Sequence, residues 1–204
     1  MEVPIKYRNK IAILFAMGPT LKDEEIDFVR EHKTDDHVIF GCNDAYKYID
    51  YLDEHYACDT KWWNVHHEAV IEHRPEKTSW TQCKTSAEKY SLNHIPGKGA
   101  PGLSIKRDLI HYGSNSGFQQ LNLAFLMGCK KFYLLGYTMG VIDNVTHFFG
   151  DHPPSLQRKS PYNKFVQQFS TIQKEIRPLI RLSTERSALK NIFRYTPVDE
   201  IFND

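Results

Sequence analysis

Three short apolar runs constrain this chain more than any other feature: "IAILFA" at 11–16, "HVIFGC" at His37–Cys42 and "KFYLL" at Lys131–Leu135. Each is of strand length and meets a turn or glycine at its end. An uninterrupted apolar run fits a strand buried on both faces, as in a parallel sheet, better than a strand with one wet face. Helical patterns fall between the runs. Residues 21–31 follow Thr20, which can cap them, and carry Asp23, Glu24 and Glu25 at the positive end. Asn43 and Asp44 can cap a short helix with Tyr46, Tyr48 and Ile49. Residues 56–58 read as a third strand, and Asp59 as the cap of a helix with Trp62, Trp63, Val65 and Val70. A strand is expected within 78–83. Residues 116–127 form a helix with an apolar face, ended by Gly128. A helix over 161–177, a strand over 179–182, and a last strand and short helix from Pro197 complete the pattern. Strands alternating with helices predict an α/β fold: a mainly parallel sheet with helices on both faces.

The 204 residues suit one domain with a full core. Residues 93–104, "NHIPGKGAPGLS", are rich in Pro and Gly and read as a small irregular lid. The net charge of +1 comes without a basic block, so nucleic-acid binding is not expected. The first apolar run is short and ends in Gly18-Pro19, which fits a strand rather than a secretory signal. No run reaches the length of a membrane span. Cys42, Cys58, Cys83 and Cys129 show no CxxC spacing and read as reduced thiols in a cytoplasmic protein.

In parallel sheets ligands bind beyond the C-terminal ends of the strands. "MGPT" after the first run places Gly18, Pro19 and Thr20 at a helix start. This favours an anion such as phosphate, or is simply a turn with a cap. "FGCND" offers the amide of Asn43, which can meet a base or ribose edge or serve as a cap. "GSNSG" places Ser114, Ser116 and Gly117 at the mouth of the 116–127 helix. One of the serines is expected to cap it, and its unpaired N–H groups can hold an anion. No Walker or dinucleotide glycine motif is present. Trp62, Trp63, His66 and Val70 read as core in preference to a ligand platform, whereas Asp59 would point into the crevice. His66, His67 and His73 form no HExxH pattern. In "THFFGDHPP", His147, Asp151 and His152 are either a polar surface loop or a catalytic group. The residue types also suit a divalent cation, though no further protein ligand is evident in the sequence.

In order, "MGPTL", "FGCNDAY" and "SNSGFQQLNLAFLMGCKKFYLLGYTM" resemble motifs of the bacterial sialyltransferases of glycosyltransferase family 42. They also resemble the related 6-hydroxymethylpterin diphosphokinases and their often phage-borne relatives, whose S-x-L-x-x-F ending is similar to "LSTERSALKNIF". The resemblance implies a Rossmann-like fold with a nucleotide cradled by Gly18, Pro19, Thr20, Asn43, Ser116 and Gly117. Asp59, Ser114 and Tyr137 join this set on their positions. It implies an inverting, metal-independent transfer with a histidine base, His147 first and His152 second, and Asp151 orienting one of them. An imidazole suits this role because it exchanges protons near neutral pH. Tyrosines donate to the leaving phosphate in that family, which brings in Tyr137 and Tyr162. Thr138 departs from the family pattern, standing where many relatives carry Asp.

Three functions follow as expectations. The first is a transferase using a CMP-type nucleotide sugar, with no required cofactor. The second is a diphosphokinase using ATP and Mg²⁺, with Asp44, Asp59 and Asp151 as carboxylates. The third is a nucleotide- or signal-binding protein without turnover. A homo-oligomer is compatible with the aromatic faces around Trp62, Trp63 and Trp80.

Overall fold

The computed structural model describes residues 2–150, 154–156 and 160–203. The three apolar runs are the centre of an eight-stranded parallel sheet. Strand β1 (Ile11–Phe15) lies between β2 (His37–Cys42) and β8 (Lys131–Leu135), with Ile13 opposite both Ile39 and Tyr133. Beyond β2 come β3 (Glu54–Tyr56), β4 (Trp80–Thr81) and β5 (Asn93–His94). Beyond β8 come β9 (Ile180–Leu182) and β10 (Arg194–Tyr195). Strands β6 (Gly97–Lys98) and β7 (Ile110–His111) pair separately.

Side-chain alternation explains why the central runs are apolar throughout. Ala12 and Leu14 of β1 join Val38, Phe40, Phe132 and Leu134 in one core. Ile11, Ile13 and Phe15 join Ile39, Tyr133 and Leu135 in the other. Helix α4 (Ser116–Leu126) covers the first face through Leu121, Leu123, Ala124 and Leu126. Helices α1 (Asp23–His32) and α2 (Thr60–His73) cover the second through Ile26, Val29, Trp62, Trp63 and Val70. The aromatic stripe of α2 is thus core, as its spacing predicts. Trp63 is fully buried and donates through Nε1 to the Ala57 carbonyl at 2.9 Å.

Several local expectations need correction. Thr20 does not cap α1. Lys22 holds that position, and Glu25 reaches back to accept from the Lys22 N–H at 3.0 Å. Thr20 is occupied elsewhere, its hydroxyl sharing a 2.6 Å hydrogen bond with that of Thr138. The expected strand at 78–83 shrinks to β4, and Cys83 instead precedes α3 (Lys84–Tyr90). The helix after Pro161, α5 (Tyr162–Phe169), stops at Phe169, well short of residue 177. Phe169 seals into the core, and the chain then turns through Ile172 and Ile176, also buried. Residues 93–104 carry β5 and β6, with Ile95 and Leu103 buried in the core. Among the described residues, no helix is long and apolar enough to cross a membrane.

Candidate functional site

The strand order changes direction between β1 and β8. The chain builds outward from β1 through β2 to β5, then returns to the other side of β1 for β8, β9 and β10. Loops leaving two such strands diverge and open a crevice at their C-terminal ends. A cleft of about 770 Å³ lies there. Gly18, Pro19, Asn43, Asp59, Ser114, Ser116, Gly117 and His147, eight of the residues singled out by sequence, line it together.

The wall at the switch point is two loops in direct contact. Gly18 donates its N–H to the Gly136 carbonyl at 3.0 Å. A Cβ on Gly18 would overlap that oxygen and approach the Thr138 hydroxyl. Gly136 has φ +69°, and a Cβ there would strike the Ala16 carbonyl. Both glycines are therefore required by the loop contact itself. The Thr20–Thr138 pair closes the same contact, so Thr20 braces the wall and does not line the cleft. Thr138 is 2 % exposed and offers a neutral hydroxyl here.

Asn43 stands at φ +51°, in the left-handed region that few non-glycine residues adopt, though Asn does so more readily than most. Its carbonyl is held by the buried His55, whose Nε2 donates at 2.8 Å. The His55 Nδ1 must then accept from the Ser79 hydroxyl, at 2.9 Å. Burial outweighs the bond to Asn43 and brings the His55 pKa down to about 3, so the ring is neutral. Behind Asn43, Asp44 accepts from Lys47 at 2.8 Å and from Trp62 Nε1 at 3.0 Å. Burial pushes its carboxyl up. The two hydrogen bonds and nearby His66 outweigh that, and its pKa ends below the usual carboxylate value. Asp59 caps α2 as expected, accepting from the Lys61 N–H at 3.1 Å, and also lines the cleft.

At the mouth of α4 the cap is Asn115, not Ser114 or Ser116. Its Oδ1 accepts from the Phe118 N–H at 2.8 Å, and its amide donates to the Gly113 carbonyl at 2.9 Å. Ser114 is excluded from capping by its left-handed φ of +63°, since a cap needs extended backbone. Ser116 is already helical, and its hydroxyl meets the Cys58 thiol at 3.2 Å. Among the described residues no acceptor engages the N–H of Ser116 or Gly117. Those groups carry the positive end of the α4 dipole to the cleft.

Tyr137 is the clearest correction among the site residues. It is fully buried behind the cleft, donating its hydroxyl to the Gly117 carbonyl at 3.0 Å and accepting from Gln120 Nε2 at 2.7 Å. It is not among the residues that line the cleft. His147 is half-buried, with Nδ1 3.0 Å from the Thr146 hydroxyl and its ring stacked on Phe149. Asp151 and His152 lie outside the described residues. Tyr162 and Phe165, three apart on α5, supply an aromatic wall, and residues 93–104 contribute none of the lining.

Sequence reasoning missed Cys58, Trp62, Met139 and Phe165 as lining residues. Cys58 could have been found as the second residue beyond β3. Trp62, which its helical spacing favours as core, is both buried and part of the cleft lining. Among the described residues no cluster of three His, Cys, Asp or Glu side chains is arranged to hold a metal ion.

The fold is that of a Rossmann-like α/β protein with a cleft at the sheet's switch point. The particular likeness is to the sialyltransferase CstII from Campylobacter jejuni. A CstII structure holding cytidine-5′-monophosphate superposes with a TM-score of 0.59 at 16% identity, covering 94% of this chain and 86% of that one. Structures of the same enzyme with CMP-3FNeuAc (14% identity) and with a trisaccharide acceptor and CMP (15%) each give 0.57, covering 92% and 86%. At such identity the likeness establishes the fold. No protein-family model matches the chain, and no curated protein matches it.

Proposed function

We propose that this protein is a glycosyltransferase that takes a nucleotide-activated sugar of the CMP type. The observation that carries the reading is the switch-point cleft. Ser116 and Gly117, whose N–H groups no acceptor engages among the described residues, border with Asn43 and His147 one space of about 770 Å³, large enough for a ligand of drug-like size. Its place in the fold supports the same reading, because CstII, with which the chain shares that fold, has been solved with CMP, with CMP-3FNeuAc and with a trisaccharide acceptor.

In this reading the N–H groups of Ser116 and Gly117 stabilise the phosphate of the donor, and their attraction grows as that phosphate gains charge on leaving. Asn43 meets the nucleoside with an amide that can both donate and accept. An acceptor hydroxyl attacks the anomeric carbon from the face opposite the phosphate. The carbon–oxygen bond to the phosphate breaks, CMP departs with the electron pair, and the hydroxyl proton passes to the His147 imidazole. The stereochemistry inverts, and no metal or cofactor takes part.

The diphosphokinase reading would draw on Asp44 and Asp59, which border the cleft but are engaged by Lys47 and Trp62 and by the start of α2; Asp151, its third carboxylate, lies outside the described residues. The test is release of CMP from CMP-sialic acid in the presence of a panel of sugar acceptors, for the wild type and His147→Ala, with CMP binding measured on both. The expected result is turnover that falls at least a hundredfold in the variant while CMP affinity holds. Turnover at the wild-type rate removes His147 as the base. Binding of CMP without turnover in either protein supports a binding module instead.

A further inference from the structure

Beneath the cleft floor lies a polar network that a hydrophobic core would not otherwise contain. The Tyr137 hydroxyl donates to the Gly117 carbonyl in the first turn of α4. Gln120, on the next turn, donates through Nε2 to both the Tyr137 hydroxyl at 2.7 Å and the carbonyl of Phe15, the last residue of β1, at 3.0 Å. Both side chains are completely buried. Two residues thus join three separate elements: the end of β1, the exit of β8 and the start of α4. Each of these carries cleft lining in the next residue or two: Ala16 after Phe15, Gly136 before Tyr137, and Ser116 with Gly117.

Burying a phenol and an amide at this junction is costly, and the bill is not fully met, because the Gln120 Oε1 has no partner among the described residues. An apolar pair of similar volume would fill the same space without that cost. What the polar pair adds is direction, since hydrogen bonds fix angle and distance where apolar packing tolerates sliding. The Tyr137 ring also lies against Gly117, where a Cβ would come within 3.0 Å of it. The first turn of α4 is therefore held both by contact and by hydrogen bond.

We propose that Tyr137 and Gln120 are positioning residues, which lock the first turn of α4 to the ends of β1 and β8 so that the Ser116 and Gly117 N–H groups are pre-set for an anionic ligand. This rests on the reading of the cleft as a nucleotide site.

The experiment compares Tyr137→Phe with Tyr7→Phe. Tyr7→Phe also loses a part-buried hydrogen bond, to Glu54 at 2.6 Å, and neither residue lines the cleft. Two quantities are read on the intact chain: amide hydrogen exchange by residue, and affinity for CMP. In Tyr137→Phe the Phe118 and Gln119 amides, which bond to Asn115, are expected to exchange about fivefold faster while those of β2 are unchanged. CMP affinity is expected to fall about tenfold, and Tyr7→Phe to alter neither. Gln120→Met, which removes the bonds to Tyr137 and Phe15 but leaves the Tyr137–Gly117 bond, should produce both effects in weaker form and replaces Tyr137→Phe if that variant does not fold. Exchange at Phe118 and Gln119 that rises no more than in β2 overturns the proposal. So does unchanged affinity in a variant whose parent binds CMP. If the wild type does not bind CMP, the nucleotide reading fails, and the exchange measurement still decides whether the network positions α4.

Discussion

Replacing Gly18 with alanine separates two explanations of the "MGPT" turn. If the glycine serves a ligand, by letting backbone approach phosphate, Gly18→Ala should leave the folded protein as stable as before and weaken only binding. The structure gives it a different burden. The added Cβ would overlap the Gly136 carbonyl and press on the Thr138 hydroxyl and Cβ. Two of these three neighbours cannot move by rotating a flexible side chain: one is backbone, and the other is the root of a fully packed threonine. Relief requires the β1 and β8 loops to part, which also breaks the Gly18–Gly136 and Thr20–Thr138 hydrogen bonds. Overpacking against a rigid surface costs about 3 kcal/mol. For a chain of this size that corresponds to a fall in Tm of about 6–12 °C. Gly140→Ala is the control, because its Cβ would meet nothing closer than the Thr138 carbonyl at 4.0 Å although Gly140 also borders the cleft. Thermal unfolding with far-ultraviolet circular dichroism measures both. A wild-type Tm for Gly18→Ala would refute the loop-contact argument and return the glycine to the ligand.

Asn43 offers a second separation. Asn43→Gly keeps the left-handed backbone at no steric cost, so Tm should stay within about 2 °C while CMP affinity drops with the amide. Asn43→Val should instead lose about 1–2 kcal/mol in urea unfolding, because a β-branched residue is strained there. The buried neutral His55 gives a pH signature. Its folded pKa, about 3, lies below the ordinary value of 6.5, so its stabilisation is complete above pH 6.5 and is lost as pH falls toward 3. Between pH 7.5 and 4.5 the wild type should lose about 2–3 kcal/mol through this group alone. A His55→Gln variant, less stable at the start, should show a correspondingly flatter profile, and an equal slope in both proteins would contradict the assignment.

The sheet was legible because its central strands are fully buried, so that "IAILFA", "HVIFGC" and "KFYLL" needed no polar alternation to declare themselves. The edges were not: β4, β5 and β10 are two residues each and carry no period. The cleft lining was legible where position alone sufficed, since residues just beyond a buried parallel strand must reach the C-terminal edge. Orientation was not. Tyr137 follows Gly136 directly, yet its ring turns inward to Gly117. Thr20 spends its hydroxyl on Thr138, and the cap of α4 falls to Asn115 because Ser114 is left-handed. Each of these depends on a partner 17 or more residues away or on a backbone angle, and neither is encoded in local spacing. Gln120 carries no signal of its own in the sequence; only the burial of nearly all of α4 makes its hydrogen bonds obligatory.

The central claim is that a CMP-type nucleotide occupies the switch-point cleft. The most direct measurement is a titration of isotope-labelled protein with CMP, without added metal, followed by two-dimensional amide nuclear magnetic resonance. The account predicts saturable shifts concentrated at Gly18, Asn43, Ser116 and Gly117, with the amides of Ser116 and Gly117 moving most as they gain a phosphate acceptor. No saturable shift, or shifts confined to residues outside the cleft, would contradict it.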